Sequence, residues 1–329
     1  MKILLVCMRY TYGDSNREQS YEYFNFYLSL KAMGYEVELF DYMEEMKTFG
    51  RAGMNQKLLE RVQTWRPRIA IFSLYTDQLD SSIVRQLQEY TTTFCFFHDD
   101  NWRVDYSRYW AKQFNYFSTP DWFGQEKYRD LGMSNAIYFP FGCNENLFHK
   151  LDVSKKYDVT FVGGWHPYRE WLINRIRKFG ISVEVFGHRW PAGEINQDRM
   201  IEVFNESRIN LNLSNSASWD IRYLGSSPRA LLNRIRSKKN IEQLKARMFE
   251  VNGCGSFQLT YYVEGLTQCY EGDCEIGIYN DPDDLVEKVK FYLAHEELRE
   301  SIAAAGFLRT LNEHTFAQRF QKLFKIMGI

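Results

Sequence analysis

The sequence is short of the features that mark several large protein classes. Proline contributes only 7 of 329 residues and 45% of the residues are hydrophobic, which excludes a disordered chain. Lysine and arginine total 41 against 42 aspartates and glutamates, so the formal net charge is −1. Nucleic-acid-binding domains carry a basic excess, and we therefore expect no nucleic-acid partner.

Long hydrophobic runs and paired-cysteine motifs are also missing. No stretch approaches the ~18 apolar residues of a membrane span, and the N-terminal run MKILLVCM is shorter than a signal peptide requires. None of the six cysteines has the CxxC spacing of a zinc site or a redox dithiol. These patterns predict a cytoplasmic protein with reduced thiols.

Aromatic residues, by contrast, make up 17% of the chain. A bulky core accounts for most of such an excess, but tyrosine and tryptophan also suit clefts and interfaces because they carry a polar group on an apolar ring. Five of the rings fall in or beside predicted strand-to-helix loops, where they could stack on a sugar or a base: Tyr10, Tyr12, Trp102, Trp165 and Trp190.

Short apolar runs alternate with helical patterns in each half of the sequence. Strands are predicted at residues 3–8, 36–40, 68–74 and 93–97, and the pattern restarts at 157–162. This alternation is typical of an α/β protein with parallel sheets, and ~150 residues per domain also gives two domains. We therefore predict two Rossmann-like domains, residues 1–145 and 146–312, followed by a C-terminal helix at 313–329. Two such domains facing each other would form a cleft, because parallel sheets bind ligands at the carboxyl ends of their strands.

The first loop of the second domain combines two glycines with an arginine. Gly163 and Gly164 follow the predicted strand directly, and Arg169 lies near the start of the next helix. Glycines at this place let a ligand approach the backbone, the helix N-terminus favours phosphate, and Arg169 could pair with that phosphate. The spacing is not that of a GxGxxG dinucleotide motif, and a tight strand-to-helix turn explains the glycines equally well.

Residues 214–247 concentrate positive charge. They hold eight basic residues and two acidic ones, a local charge of +6 against −7 for the rest of the chain. The basic residues are Arg222, Arg229, Arg234, Arg236, Lys238, Lys239, Lys245 and Arg247. Three interpretations stay open: a solvated helix face, a diphosphate site, or a surface that meets an anionic acceptor or a membrane.

Polar residues follow two predicted strands of the first domain. His98, Asp99 and Asp100 end the fourth strand, where the imidazole or one carboxylate could orient or deprotonate an acceptor hydroxyl. The alternative is a turn at Asn101 capped by the aspartates. The loop after the first strand adds four candidates for contact with an acceptor or a phosphate: Tyr12, Gly13, Asn16 and Arg17.

The last third of the chain contains a series of short motifs. They read RMFE (247–250), GCGSF (253–257), EGL (264–266), YNDPDDL (279–285), IAAAG (302–306) and EHTF (313–316), with looser matches at TFVG (160–163), VFG (185–187) and NLN (210–212). In this series the sequence resembles the CgeB-like group of GT-B fold glycosyltransferases, which are relatives of the family-4-type enzymes. The N-terminal half matches mainly in architecture, as expected if it carries the variable acceptor site.

The resemblance implies an enzyme that moves a sugar from a nucleoside-diphosphate sugar to a hydroxyl acceptor on a glycan, lipid, protein or small molecule. Domain 1–145 would bind the acceptor, domain 146–312 would bind the donor, and helix 313–329 would return to the first domain. UDP is the expected nucleotide by base rate. No metal and no cofactor besides this co-substrate is implied, because arginine, lysine and helix N-termini neutralise the diphosphate.

The implied donor site consists of Gly163, Gly164, Arg169, Gly187, Arg247, Glu250 and Gly253. Glu250 would hold ribose or sugar hydroxyls, and Arg247 and Arg169 would face the diphosphate. Family-4-type enzymes also carry a Glu–x7–Glu pair. Glu242 lies eight residues before Glu250, but in a basic segment that departs from the family pattern and ~80° away on one continuous helix.

Two other functions stay open at this point. One is a non-catalytic protein that binds nucleotide sugars or glycans on a GT-B scaffold. The other is a relative with different chemistry, such as a sugar-nucleotide epimerase. The presence of Glu250, Arg247 and the glycine turn together favours the transferase over the non-catalytic protein.

Overall fold

The chain folds as two compact units. The computed structural model describes residues 1–329 except Asn101, Asn215, Asn240 and Ile241. Unit 1 contains Met1–Leu147 together with Phe316–Ile329, and unit 2 contains Phe148–Thr315. Unit 2 is therefore inserted into the chain of unit 1.

Unit 1 is built on a six-stranded parallel sheet. Its strands are β1 (Lys2–Cys7), β2 (Glu36–Asp41), β3 (Ile69–Ser73), β4 (Thr92–Phe96), β5 (Tyr116–Thr119) and β6 (Ala136–Tyr138). They lie in the order β2-β1-β3-β4-β5-β6, and every neighbouring pair is parallel. Because the order reverses at β1, the loops after β1 and β3 leave the sheet on either side of a crevice, the usual ligand position in such sheets.

Helices accompany this sheet along the chain. They are α1 (Leu28–Ala32), α2 (Tyr42–Trp65), α3 (Ser81–Leu87), α4 (Val104–Ala111) and α5 (Gly124–Asp130), with a π-helical turn at Tyr23–Tyr27 before α1. The Asp41 carboxylate caps α2 by accepting hydrogen bonds from the backbone N–H groups of Met43 and Glu44. This cap starts the helix directly after β2, and Gly50, at a φ of 68°, interrupts it.

Unit 2 has a similar arrangement with five strands. These are β7 (Tyr157–Val162), β8 (Val183–Phe186), β9 (Ser207–Asn212), β10 (Gln258–Tyr261) and β11 (Gly277–Tyr279). The order is β11-β10-β9-β7-β8, again with all pairs parallel. The reversal lies at β7, so the crevice of unit 2 opens where β7 and β9 end.

The helices of unit 2 differ most from expectation in the basic segment. They are α6 (Pro167–Arg177), α7 (Gln197–Glu206), α8 (Ile221–Leu224), α9 (Pro228–Arg236), α10 (Arg247–Gly253), α11 (Pro282–Ala294) and α12 (Glu296–Glu313). A Ser227 cap and Pro228 at the first helical position begin α9. Residues 214–247 therefore do not form one long helix, and α10 begins only at Arg247.

The last helix, α13 (Phe316–Met327), packs on unit 1. The backbone N–H of Phe316 donates to the carbonyl oxygen of Cys143 at 2.8 Å, and the Phe320 ring lies 5.5 Å from the Phe26 ring. The predicted α/β fold class, with a C-terminal helix returning to the first domain, is confirmed. Within the described parts of the chain, no helix combines the length and the apolar character needed to cross a membrane.

Candidate functional site

Arg169 spans the crevice of unit 2. Its guanidinium donates hydrogen bonds to the carbonyl oxygens of Gly164, at 2.8 Å, and Ser214, at 3.3 Å. Gly164 follows β7 and Ser214 follows β9, so one side chain ties the two loops together. Burial lowers the pKa of Arg169 to about 10, and the group stays cationic at neutral pH. The structure thus places a half-buried positive charge where Rossmann-like units bind ligands.

Other cations lie close to Arg169. Their effect is visible at His166, which directly precedes α6: burial lowers the pKa of His166 to about 4, and Arg169, Lys239 and Arg189 act in the same direction. The imidazole is therefore neutral at pH 7. Positive charge gathered beside the N-terminus of α6 suits a phosphate-bearing ligand.

Glu242 belongs to this same cluster. Burial raises the pKa of its carboxyl group, while nearby cations, first Lys245 and then Lys239 and Arg169, oppose that shift. Because α10 begins after Glu242, helical spacing does not govern where Glu242 lies relative to Glu250. A carboxylate held among cations can accept hydrogen bonds from the hydroxyl groups of a ligand.

The glycines near the crevice of unit 2 have two different structural roles. A Cβ at Gly187 would lie 2.4 Å from the carbonyl oxygen of Gly163, and a Cβ at Gly163 would lie 2.8 Å from the ring of Phe161. Gly187 lets the loops after β7 and β8 pack against each other, and Gly163 leaves room for the ring of Phe161 on β7. Gly164 differs, because the space around its Cβ position is open. Of the three, Gly164 is the glycine that leaves room for a ligand.

Arg247 and Glu250 form an ion pair within α10. Arg247 Nη1 lies 2.6 Å from Glu250 Oε2, and the guanidinium lies over the ring of Phe204 on α7, 5.2 Å from its centre. Burial raises the pKa of Glu250, and Arg247 partly offsets this. Gly253 is buried at the end of the same helix. The pair joins α10 to α7, and donor contact by these three residues stays a prediction.

Unit 1 holds an acid–base cluster at the ends of β3 and β4. His98 Nε2 lies 2.7 Å from Glu22 Oε1 and 3.1 Å from the hydroxyl of Ser73, and that hydroxyl donates to the same Glu22 oxygen at 2.5 Å. Burial alone would raise the pKa of Glu22, but the charge and hydrogen bond of His98 and the bond from Ser73 hold it below its ordinary value. The hydrogen bond between His98 Nε2 and the carboxylate of Glu22 holds the imidazole ring in one orientation.

Glu22 and Ser73 are not among the residues that the sequence singles out. The available signal was one glutamate in the aromatic run YEYFNFY (21–27). A carboxylate on a buried aromatic helix face needs a partner, but the sequence does not say which residue supplies it.

The two aspartates after His98 are placed differently from it. Asp100 is only 3% exposed and accepts a hydrogen bond from the Tyr128 hydroxyl at 3.3 Å. Burial raises the pKa of Asp100 to about 7. Asp99 is half-buried in the turn, and Asn101 lies outside the described residues. Asp100 therefore sits as a buried structural carboxyl, while a catalytic contact of either aspartate stays a prediction.

The loop after β1 exposes one aromatic ring. Tyr12 is 60% exposed, with the Arg17 guanidinium 5.3 Å above its ring and the Tyr75 ring 5.9 Å away. Gly13 is buried at a φ of 70°, and Asn16 makes its hydrogen bonds within the loop. Of the four predicted residues here, Tyr12 and Arg17 form one stacked pair.

Two tryptophans of the predicted loops are engaged in unit 2. Trp190 Nε1 donates to the carbonyl oxygen of Gly163 at 2.8 Å, and the Trp165 ring lies 4.8 Å from the guanidinium of Arg229. Both rings thus brace the loops around the crevice. Over the portion of the chain that the structure describes, no three His, Cys, Asp or Glu side chains come together as possible metal ligands.

Comparison with known proteins gives matches in sequence and in fold. A family model described as glycosyl transferase-like matches residues 169–325. The spore protein CgeB of Bacillus subtilis (strain 168) is 25% identical over 214 residues, which cover 60% of this chain and 62% of CgeB. Sucrose-phosphate synthase from Thermosynechococcus elongatus has a TM-score of 0.66 at 11% identity and 99% coverage of both chains. Anabaena HepE in complex with UDP-glucose has a TM-score of 0.63 at 10% identity, covering 100% of this chain and 99% of HepE.

The sequence match and the fold match meet in unit 2. The family model begins at Arg169 and includes α10 with its Arg247–Glu250 pair, while the similarity in fold extends over both units. The resemblance drawn from the motifs is confirmed. The chain thus resembles CgeB in sequence and has the GT-B glycosyltransferase fold, and its residues 169–325 match the glycosyl transferase-like family.

Proposed function

We propose that this chain is a glycosyltransferase that binds a nucleoside-diphosphate sugar in unit 2 and transfers the sugar to a hydroxyl acceptor without a metal ion. The observation that carries the proposal is the half-buried guanidinium of Arg169 between the ends of β7 and β9. A guanidinium at the ligand crevice of a Rossmann-like unit can bind phosphate oxygens through paired hydrogen bonds, and a diphosphate supplies these oxygens. The family match and the GT-B fold support the same reaction.

The donor diphosphate lies, in this proposal, against Arg169, the nearby lysines and the N-terminus of α6. These fixed positive charges stabilise the negative charge that develops on the leaving nucleoside diphosphate. Gly164 leaves space for the phosphates, and Glu242 accepts hydrogen bonds from ribose or sugar hydroxyls. The UDP-glucose complex of HepE, a fold neighbour, supports UDP as the nucleotide.

The acceptor is activated, in this proposal, by His98 of unit 1. The acceptor hydroxyl gives its proton to the imidazole, its oxygen attacks the anomeric carbon, and the bond from that carbon to the diphosphate oxygen breaks. Glu22 is a positioning residue, because it holds the ring through Nε2 and stabilises the imidazolium. Hydroxyls of a glycan, lipid, protein or small molecule all suit this chemistry, and the cytoplasm stays the predicted location.

The test pairs a donor-site variant with a matched surface variant. Thermal unfolding of the wild type, Arg169→Gln and Lys178→Gln is followed with UDP, other nucleoside diphosphates and a panel of nucleotide sugars. Lys178 is exposed just after the last turn of α6 and provides the control for loss of one positive charge. We expect a nucleoside diphosphate to stabilise the wild type and Lys178→Gln, and to leave Arg169→Gln unshifted. Nucleotide release is then measured on the same proteins with candidate acceptors.

Each of the other possible outcomes would indicate a different function or mechanism. Absence of stabilisation by every nucleoside diphosphate would contradict the donor site. Stabilisation without turnover on any acceptor would favour a non-catalytic binding protein, and conversion of the nucleotide sugar without an acceptor would favour an epimerase. Loss of turnover on addition of a chelator would contradict metal independence.

A further inference from the structure

Helix α9 turns its polar face toward unit 2 and its apolar face outward. The side facing unit 2 holds Ala230, Asn233 and Arg234. Asn233 donates to the carbonyl oxygen of Ser216 and to the hydroxyl of Tyr223, both at 3.1 Å, and Arg234 is only 4% exposed. An ordinary surface helix buries its apolar side chains and exposes its polar ones.

The outward side of α9 is aliphatic. Leu231, Leu232 and Ile235 are 46%, 49% and 65% exposed. At 100° per residue these side chains, with Pro228, fall within a sector ~100° wide. The sequence therefore maintains an apolar stripe that the fold of unit 2 leaves uncovered.

Basic residues border this stripe. Arg229 and Arg236 are exposed on the same helix and Lys238 is exposed just beyond it. From residue 221 to residue 241 the sequence contains no aspartate or glutamate. In front of the helix, Trp219 and Ile221 are 66% and 82% exposed. The surface thus combines aliphatic and aromatic side chains with charge of one sign.

We propose that α9 docks unit 2 onto the surface of an anionic lipid membrane. The leucines and the isoleucine enter the boundary between head groups and acyl chains, while Arg236 and Lys238 reach the lipid phosphates. Aliphatic burial and basic charge together supply the two signals that peripheral binding requires. A nine-residue helix of ~14 Å offers little of the ~800 Å² that a stable protein interface needs from each partner, which favours a membrane over a folded protein.

The surface also adjoins the proposed donor site. Arg229 lies over the ring of Trp165, in the loop that follows β7, and Asn233 holds the backbone of Ser216, two residues after the Arg169 contact at Ser214. Docking through α9 therefore brings the donor crevice of unit 2 close to the lipid surface. The docking itself does not depend on the identity of the donor or on turnover.

The experiment measures co-sedimentation of the full chain with vesicles. Phosphatidylcholine vesicles are compared with vesicles of phosphatidylcholine and phosphatidylglycerol at low and at physiological salt. We expect binding to the anionic vesicles only, weakened by salt. Leu231→Ser with Ile235→Ser lowers the partition coefficient at least about tenfold. Arg236→Gln with Lys238→Gln lowers it about 30-fold at low salt, as expected for two basic residues near an anionic surface.

Matched variants separate this surface from unspecific effects. Leu308→Ser, on α12, removes an aliphatic side chain that is 59% exposed, and Lys178→Gln removes an exposed charge elsewhere on unit 2; neither should change binding. Unchanged thermal unfolding of all variants shows that they are folded. Equal binding to neutral vesicles, or full binding by the α9 variants, would overturn the proposal. So would a lipid-independent dimer that the α9 variants dissolve, because the stripe would then cover a second copy.

Discussion

The crevices of the two units occupy equivalent positions in similar sheets but hold opposite chemistry. The strand order around the first strand is β2-β1-β3 in unit 1 and β8-β7-β9 in unit 2. At the first crevice lies the carboxylate–imidazole pair Glu22–His98; at the second lies the half-buried guanidinium of Arg169. The sheet decides where a ligand meets the protein, and the loops decide whether that place suits a proton or a phosphate.

The largest expected effect comes from removing the proposed general base of unit 1. His98→Asn should lower kcat by roughly 10²- to 10⁴-fold, because it removes the general base. The thermal shift produced by UDP should stay unchanged, since that shift reports on unit 2. Glu22→Gln should lower kcat by less and leave KM for the donor unaltered, as expected for a positioning residue. A loss of UDP binding in either variant would break the division between the two crevices.

A second comparison distinguishes two glutamates of unit 2. Glu250→Ala leaves Arg247 without its partner in a buried site, and should lower the free energy of unfolding by about 3–5 kcal/mol. Glu242→Gln should leave stability nearly unaltered and weaken donor binding. Urea unfolding and UDP-sugar titration of both variants check this. A stable Glu250→Ala protein that no longer binds UDP would instead assign Glu250 to the donor.

Asp100 tests how far the acid–base cluster of unit 1 extends. Its pKa is about 7 when folded and near 3.8 when unfolded. Between these values the folded protein keeps a proton that the unfolded chain releases, so this group lowers the free energy of unfolding as pH rises from about 4 to about 7. Asp100→Asn should remove this fall in the free energy of unfolding. The variant should therefore be more stable than the wild type by up to about 4 kcal/mol at pH 8, but not at pH 4. Denaturant unfolding across this pH range measures the difference in stability. If Asp100→Asn instead loses turnover and its stability keeps the pH dependence of the wild type, Asp100 would be part of the catalytic cluster.

The smallest expected effect is that of replacing a glycine of unit 2 by alanine. Gly164→Ala should keep the wild-type unfolding temperature and weaken UDP binding by about tenfold, because its methyl group enters the open space left for the ligand. Gly187→Ala should destabilise the unit itself, since its Cβ meets the Gly163 carbonyl. Equal UDP affinity of wild type and Gly164→Ala would move the phosphates away from this loop.

Much of this arrangement could be predicted from the sequence, and the rest depends on contacts between distant residues. The strands are continuous apolar runs between turn residues, so their alternation with helices is legible along the chain. Gly163, Gly164 and Arg169 are close in sequence, so their loop is a candidate phosphate site from the sequence alone, with a tight turn as the alternative. The partners of His98 lie 76 and 25 residues away in the chain, and no local pattern indicates which residues these are.

The basic segment shows a second limit. Its charge is visible in the sequence, but Arg222 pairs with Asp220 and Asp283, and Arg247 pairs with Glu250. Arg236 and Lys238, in contrast, are exposed beside the stripe of α9. Basic residues within one segment of 34 residues therefore have different roles, and only the fold shows which residue has which role.

The return of α13 to unit 1 has a consequence for biosynthesis. Phe320 contacts Phe26, so unit 1 receives α13 only after the whole of unit 2 has been made. Until then the ring of Phe26 lacks its partners on α13. Unit 2, an uninterrupted stretch of chain, can therefore complete its fold before α13 is available to unit 1.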